Sequence, residues 1–148
     1  MNRGKPFKST ERGATLVEFS IALLVFLTAM FAVIEFGRAL WVHNALADAA
    51  RRGARYAVLH TSGEADAVKN VVVYGDPAGG TTPSIPNLDV SNVSVDYNDF
   101  ALNKGTVSVS VNDYKFQFVI PIVGTTITMP NYNTTLTGES VGLIPANK

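Results

Sequence analysis

The chain has 148 residues, of which 47% are hydrophobic and 16% charged, and its acidic and basic side chains are equal in number. This length is typical of a single domain, and nothing in the charge balance suggests binding to nucleic acid. Because the sequence contains no cysteine, it excludes thiol catalysis and cysteine-ligated metal sites. The hydrophobic fraction is high for a small soluble protein, and one segment accounts for the excess.

That segment is an apolar run over residues 14–34, which as an α-helix would measure about 31 Å. Its length matches the roughly 30 Å hydrocarbon core of a bilayer. After Glu18 it contains only Ser20 and Thr28 as polar residues, so it lacks the polar face of a soluble helix. A secretory signal peptide is the alternative, but its apolar region is usually shorter, about 7–15 residues. We therefore predict a transmembrane segment over residues 14–35.

The charges in front of this segment predict its orientation. Residues 1–13 contain four basic residues and one acidic residue, and the positive-inside rule places such a flank in the cytoplasm. Arginines from Arg38 onward weaken this signal, although they lie progressively further from the apolar run. We therefore predict a single-pass protein with a cytoplasmic N-terminus and an extracytoplasmic C-terminal part.

A single acidic residue, Glu18, interrupts the apolar run. An acid near the centre of a membrane helix costs about 2.5–3.5 kcal/mol on insertion scales, so its presence needs an explanation. Glu18 lies near the cytoplasmic end of the segment, where its side chain could reach the headgroup region. Alternatively, its carboxylate pairs with a positive charge outside its own helix, because such a pair is strong in a medium of low dielectric constant.

The residues around this acid resemble a known processing site. Gly13 followed by Ala-Thr-Leu-Val-Glu-Phe is similar to the cleavage site of type IVb (Flp) prepilins, and the whole chain resembles the TadE-like minor pilins. The resemblance implies that a prepilin peptidase cuts between Gly13 and Ala14, so that residues 1–13 are a basic leader peptide. It also implies that Glu18 and the aromatic Phe19 act in subunit assembly, with Glu18 pairing with the new amino group of a neighbouring subunit.

The resemblance continues through residues 35–38 and the alanine-rich residues 45–57, and it implies a function. The protein would be a minor pilin or pseudopilin in the assembly of a Tad/Flp pilus, with a link to cell adhesion. Its implied partners are the bacterial inner membrane, the prepilin peptidase, other pilins and the platform proteins of the pilus machinery. Two alternatives stay open. One is a pseudopilin of a type II secretion system, which more typically begins with a bulkier residue than Ala14, and the other is an uncleaved, membrane-anchored interaction protein.

Beyond the membrane, the helix is predicted to continue. Residues 35–59 contain no proline, and alanine, a strong helix former, is frequent among them. We predict one helix over residues 14–59, of which residues 36–60 form the extracytoplasmic continuation. Gly37 and Gly53 are expected to permit slight bending. Three- and four-residue spacing predicts the face of this helix that packs against the rest of the protein. This apolar stripe comprises Phe36, Leu40, His43, Ala47, Ala50, Ala54 and Ala57.

Three residues are expected to mark the outer end of the membrane segment. Glu35 and Arg38 are three apart on the predicted helix, and this spacing favours an ion pair. Trp41 follows directly, and indole rings favour the headgroup region of a bilayer.

The remaining residues, 61–148, are predicted to form an α+β unit. Residues 64–74 have both helical spacing and strand propensity, and we favour a short helix capped by Ser62. Residues 75–86 contain several glycines and prolines and predict a loop. Strands are expected after that loop because the apolar period changes to two.

The first two of these strands form a predicted hairpin. Residues 93–97 and 107–111 alternate apolar and polar side chains, and the connecting residues 98–105 contain turn-forming residues. Residues 116–120 resume the alternation with the opposite parity, after either a bulge or a short turn at residues 112–113. Residues 121–130 predict a loop.

A further strand is predicted over residues 132–141. One antiparallel sheet with a single apolar face would then bury that face against the alanine stripe of the helix. The predicted fold is therefore α+β and pilin-like, with a long N-terminal transmembrane helix that continues outside the membrane and packs against a small antiparallel β-sheet.

No group of residues in the sequence predicts catalysis or a cofactor. His43 and His60 have no ligand spacing between them, so structural roles are favoured over metal binding. Asp96, Asp99 and Asp113 could approach one another at strand ends, but no calcium-loop pattern is present. We therefore predict no enzymatic activity, no cofactor, no metal site and no small-molecule substrate.

Overall fold

The computed structural model describes residues 10–101, 104–119 and 126–138. Its helices are α1 (Thr10–Val58) and α2 (Ala65–Tyr74), with two short 3-10 helices at Ser62–Glu64 and Val90–Asn92. Its strands are β1 (Val93–Ala101), β2 (Lys104–Val111), β3 (Lys115–Gln117), β4 (Thr126–Thr128) and β5 (Tyr132–Thr137). These elements confirm the predicted α+β class with a long N-terminal helix.

The chain divides between Arg38 and Ala39 into two compact units. Among the described residues, the first unit contains the N-terminal part of α1, and the second contains the rest of α1, α2 and the five strands. The prediction of one helix over residues 14–59 is confirmed, with its start moved to Thr10. Predictions for most of the leader (residues 1–9), for residues 120–125 and for the end of the last strand (139–141) lie outside the described residues.

The part of α1 in the second unit contributes one buried stripe to the core. Its members recur at three- and four-residue spacing, as one face of a helix requires. They are Val42, Leu46, Ala49, Ala50, Ala54, Ala57 and Val58. The predicted stripe is correct from Ala50 onward but wrong at its start, where Phe36 and Leu40 are 66% and 47% exposed and His43 is exposed. Apolar residues occur at helical spacing on both of these faces, so spacing alone does not identify the buried one.

Gly53 lies in this stripe, at a point where α1 meets both α2 and β2. A Cβ added at Gly53 would collide with Cγ2 of Val72 on α2 and would lie 3.2 Å from Cγ1 of Val109 on β2. The missing side chain therefore allows an approach that any other residue would obstruct. This packing role was not part of the sequence prediction, which treated Gly53 as a point of bending.

Strands β1, β2 and β5 form an antiparallel sheet in the order β1-β2-β5. The predicted hairpin is confirmed, with Val93 opposite Val111 and Tyr97 opposite Val107. One face of the sheet carries most of its apolar side chains, and Val107, Val109 and Val111 on this face are fully buried. The predicted strand at residue 132 is also confirmed, and it ends at Thr137 within the described chain.

The hairpin connection is tighter than predicted, because β1 extends to Ala101 and β2 begins at Lys104. The register of the two strands shifts between Asn98 and Ala101, as in a β-bulge. Gly105 has φ of +75°, and a Cβ at this position would collide with the backbone of Asp99. Glycine is therefore required here for both conformation and space.

The remaining strands form a second sheet, which corrects the prediction of a single one. Strand β3 pairs with β4, and Phe116 lies opposite Ile127. The chain bends at Asp113, whose φ is +53°. Of the two alternatives predicted for residues 112–113, the short turn is therefore correct and the bulge within one long strand is wrong. The predicted loop over residues 121–130 is wrong at Thr126–Thr128, because three residues are too few to show an alternating pattern.

Helix α2 confirms the helical interpretation of residues 64–74, but its predicted cap is wrong. Ser62 lies inside a 3-10 helix, and Glu64 occupies the N-cap position of α2 without a side-chain capping bond. The helix ends at Gly75, which has φ of +79° and donates its N–H to the carbonyl oxygen of Val71 over 3.1 Å. Residues 75–86 then form the predicted loop.

Replacing Gly53 by alanine should destabilise the protein, although alanine ordinarily favours a helix over glycine by about 0.5–1 kcal/mol. The added methyl group would overlap Val72, and overpacking a core typically costs about 1–3 kcal/mol. We expect a lower Tm for Gly53→Ala when the full-length protein in detergent micelles is heated and followed by circular dichroism. Gly37→Ala is the matched control, because a Cβ at Gly37 would meet no described residue outside its own helix within 4 Å, and its Tm should be unchanged or higher. Equal Tm values for the two variants would contradict the packing role.

Candidate functional site

The N-terminal part of α1 presents an apolar surface on all sides. Every residue from Gly13 to Ile34 is exposed, and the large apolar side chains range from 36% exposed at Leu27 to 72% at Val33. The helix is long and apolar enough to cross a membrane, and no part of its most apolar window is buried within the described chain. A core helix of a soluble protein would bury this surface, so the pattern fits a helix covered by lipid or by other apolar helices.

The predicted site residues Gly13, Ala14, Glu18 and Phe19 lie in the first turns of this helix. Within the described part of the chain, no atom outside the adjacent residues and the surrounding helix backbone lies within 4 Å of the position that a Cβ at Gly13 would take. Ala14 and Glu18 are four residues apart, so they share one face of the helix. Phe19, next to them, is 62% exposed. The structure therefore brings Ala14 and Glu18 together on one face and leaves all four residues accessible to a partner.

Glu18 is the one charged residue between Gly13 and Ile34. Within the part of the chain that the structure describes, its exposed carboxylate has no hydrogen bond or ion pair. The nearby Ser20 differs, because its hydroxyl donates to the carbonyl oxygen of Leu16 over 2.7 Å inside the same helix. The serine is thus satisfied locally, whereas the charge of Glu18 requires water, headgroups or a partner molecule.

The other end of the apolar surface is marked by charge. Nη2 of Arg38 lies 2.8 Å from Oε2 of Glu35, which confirms the predicted ion pair. Glu35 is only 8% exposed, so the pair also keeps a buried carboxylate from being left without a counter-charge. Trp41 is 57% exposed, which fits a ring that lies among headgroups.

These observations define a class of protein: an α+β domain that follows one N-terminal helix with the length and composition of a membrane anchor. Residues 13–55 match the family model described as TadE-like protein, which confirms the resemblance over this range. The match begins at Gly13 and ends within α1, so it covers the candidate site but not the two sheets. Searches of curated proteins and of solved structures gave no match. The TadE-like match suggests a protein associated with a Tad pilus.

Both histidines make structural contacts. Nδ1 of His43 lies 2.7 Å from the hydroxyl oxygen of Tyr132, and the two rings meet edge to face. Nδ1 of His60 lies 2.7 Å from the carbonyl oxygen of Tyr56, near the end of α1, and must carry the hydrogen because a carbonyl only accepts. The His60 ring also stacks on the Tyr56 ring, with 3.8 Å between centroids.

The three candidate aspartates do not form a site. Asp96 projects from the outer face of β1, whereas Asp99 and Asp113 occupy positive-φ positions in the bulge and the bend. Aspartate tolerates this conformation better than most residues, which explains their presence without a ligand. Among the described residues, no three histidine, cysteine, aspartate or glutamate side chains could hold a metal ion.

Sequence reasoning missed the role of Tyr132. Its hydroxyl reaches His43 from 89 positions away in the chain, so no local pattern could reveal the contact. Burial raises the pKa of Tyr132 above its ordinary value of 10.0, and the neighbouring Tyr114 raises it further. Burial is also the main reason that the pKa of Tyr97 is raised, with Glu64 and Tyr56 adding to the effect.

These raised pKa values predict a loss of stability in alkali. A tyrosine whose folded-state pKa is raised stabilises the fold below its unfolded pKa of about 10, and this contribution is lost as the pH rises through the folded value. We expect the Tm of the full-length protein to fall between about pH 10 and 12, together with delayed tyrosinate absorbance. Tyr132→Phe removes one of these groups, so its Tm should fall less steeply with pH. An identical pH dependence for the variant and the unaltered protein would contradict the assignment to Tyr132.

Proposed function

We propose that this protein is a minor pilin or pseudopilin of a Tad/Flp-type pilus, processed after Gly13 and recruited through its N-terminal helix. The observation that carries the proposal is Glu18, a lone exposed charge with no partner in the described chain, placed five residues after a glycine at the start of an apolar helix. The TadE-like match supports it, because that match begins at the same glycine.

Cleavage would change the electrostatics of this end of the helix. Cutting after Gly13 creates a positively charged amino group at Ala14, which the uncut chain does not possess. In surroundings of low dielectric constant, that amino group and the carboxylate of Glu18 from a neighbouring subunit attract each other far more strongly than in water. The pair would position one helix against the next while their apolar surfaces cover each other.

The domain beyond the helix favours an initiating role. Main pilins of such systems, by the family resemblance, consist mostly of a short helix, whereas this chain adds α2 and two sheets after α1. A subunit of this kind suits the start of a filament better than its bulk. We propose a structural component of the inner membrane with an extracytoplasmic domain, without enzymatic activity, whose partners are the prepilin peptidase, other pilins and the assembly platform.

The mature protein should begin at Ala14 when the matching prepilin peptidase is present. The measurement is the intact mass of protein extracted from membranes of cells with and without the peptidase. Gly13→Leu should accumulate as the full-length precursor in the membrane, because among the described residues nothing beyond its own helix lies within 4 Å of a Cβ at Gly13, and insertion depends on the apolar run. Gly37→Leu, at a second open glycine, should be processed normally. A chain that still begins at Met1 in peptidase-positive cells would favour an uncleaved membrane anchor.

Glu18→Ala should separate processing from assembly. The substitution removes a charge from the apolar helix, so insertion and cleavage should proceed, but the amino group of the neighbouring subunit loses its counter-charge. An unpaired charge in such surroundings costs several kcal/mol, so we expect a cleaved, stable protein that no longer associates with other pilins in cross-linking and supports few or no surface pili. Glu18→Gln should be nearly as defective, because it keeps the shape without the charge.

Ser20→Ala is the matched control for these variants. It removes a hydroxyl group two positions after Glu18 that is hydrogen-bonded within its own helix. The Ser20 side chain therefore needs no partner on a neighbouring subunit. Pilus numbers should therefore remain normal. Normal piliation in both Glu18 variants, at unaltered protein levels, would show that Glu18 only reaches the headgroup region.

A further inference from the structure

The part of α1 in the second unit exposes a row of charged side chains on the side opposite its buried stripe. We call this row the arginine face; it comprises Asp48, Arg51, Arg52 and Arg55, with Leu59 directly after the helix at its end. Their three- and four-residue spacing places the four charged residues on one side of the helix. All of them are exposed, and Leu59 is 67% exposed.

Contacts within the domain account for only part of this charge. Nη1 of Arg51 lies 2.9 Å from Oδ1 of Asp48, but both side chains are exposed, so a competing partner can reach the pair. Arg55 lies in the last turn of α1, where the helix dipole favours a positive charge. Arg52 has no hydrogen bond or ion pair within the described chain. Since Asp48 is the one acidic residue among residues 39–58, the arginine face keeps an excess of positive charge.

Charge in the second unit is segregated by element. Every arginine of this unit lies on the arginine face. By contrast, the described residues after α1 contain three lysines and seven acidic residues, all seven of them exposed. These acids are Glu64, Asp66, Asp76, Asp89, Asp96, Asp99 and Asp113. Each copy of the domain therefore presents a basic face on α1 and a mainly acidic surface elsewhere, so two copies complement each other electrostatically.

The composition of the arginine face favours a protein as its partner. Arginine is enriched in protein–protein interfaces, because its planar guanidinium group can bind both oxygens of a carboxylate. The exposed Leu59 adds an apolar contact beside these charges. A polyanion such as nucleic acid would be repelled by Asp48 and would gain little from the leucine. Carboxylates on a protein surface are thus the counterpart that these side chains fit.

We infer that the arginine face binds the acidic surface of a second copy of this chain. The contact joins two different surfaces, so it is heterologous, and each pair of copies leaves one arginine face and one acidic surface free for further copies. Because the charges on both sides are exposed to water, one such contact is weak and sensitive to salt. This inference goes beyond the proposed function and does not depend on cleavage after Gly13 or on the role of Glu18.

The association state of the uncleaved, full-length protein tests this inference. It is measured by sedimentation equilibrium in zwitterionic micelles, which supply no charged lipid. Salt shortens the range of interaction between exposed charges from about 10 Å at 0.1 M to about 3 Å at 1 M. We expect association at the lower concentration that weakens about tenfold or more at the higher one. Arg51→Glu with Arg52→Glu should weaken it about tenfold or more at the lower concentration.

The matched control is Lys104→Glu with Lys115→Glu, which changes the net charge by the same amount at two exposed positions outside α1. It leaves the arginine face intact and makes the opposing surface more acidic, so these copies should associate as tightly as the unaltered protein or more tightly. Circular dichroism establishes that both variants are folded. If the arginine variant does not fold, Arg51→Gln with Arg52→Gln removes the charges without reversing them and should still weaken association several-fold.

Three results would overturn the inference. Equal weakening in the arginine and lysine variants would mean that only the total charge matters. Association that high salt leaves unchanged would mean that the apolar helices hold the copies together. An unaltered protein that stays monomeric in these micelles, including one that binds only to vesicles containing anionic lipid, would mean that the arginine face does not recognise a second copy.

Discussion

The core of the second unit depends on the close packing of α1 against α2 and β2 at Gly53. At that point there is no room for a Cβ between Val72 and Val109. The alanines on the same face of α1 extend this flat, small-residue surface along the helix, and valines from α2 and β2 fill the space opposite. Because the small side chains are on the helix and the branched ones on its neighbours, the sheet lies close to α1, and Val107, Val109 and Val111 on its apolar face are fully buried.

This packing has a consequence for the other side of the sheet. Strand residues alternate between faces, so a register that buries Val107, Val109 and Val111 necessarily places 106, 108 and 110 outside. The TadE-like match ends at residue 55, within α1, so the sheet lies outside the matched range.

The first unit differs from the second because its apolar side chains are exposed. Its helix has apolar side chains on all sides and no covering partner within the described chain, so its stability in water would be poor and its function must involve a surrounding phase or other helices. In apolar surroundings, the free-energy cost of an unpaired carboxylate and its attraction to a counter-charge are both larger than for a charge exposed to water on the second unit. This is why Glu18 is the centre of the proposed function.

The sequence by itself determined the elements that depend on local composition. The apolar run of residues 14–34 has no polar face, and the absence of proline to residue 59 continues the helix. The two-residue period at 93–97 and 107–111 specifies a hairpin, and the residues around Gly13 and Glu18 carry the family resemblance that the match over residues 13–55 confirmed. Each of these signals is contained in a few neighbouring positions.

The tertiary structure decided what depends on residues far apart in the chain. It selected the buried face of α1 from two faces of equal periodicity, and it gave Gly53 its packing role through contacts with Val72 and Val109. It also paired β3 with β4 in a separate sheet and joined His43 to Tyr132. Short strands and single contacts of this kind have no local period, because their stability comes from partners that only the folded chain brings together.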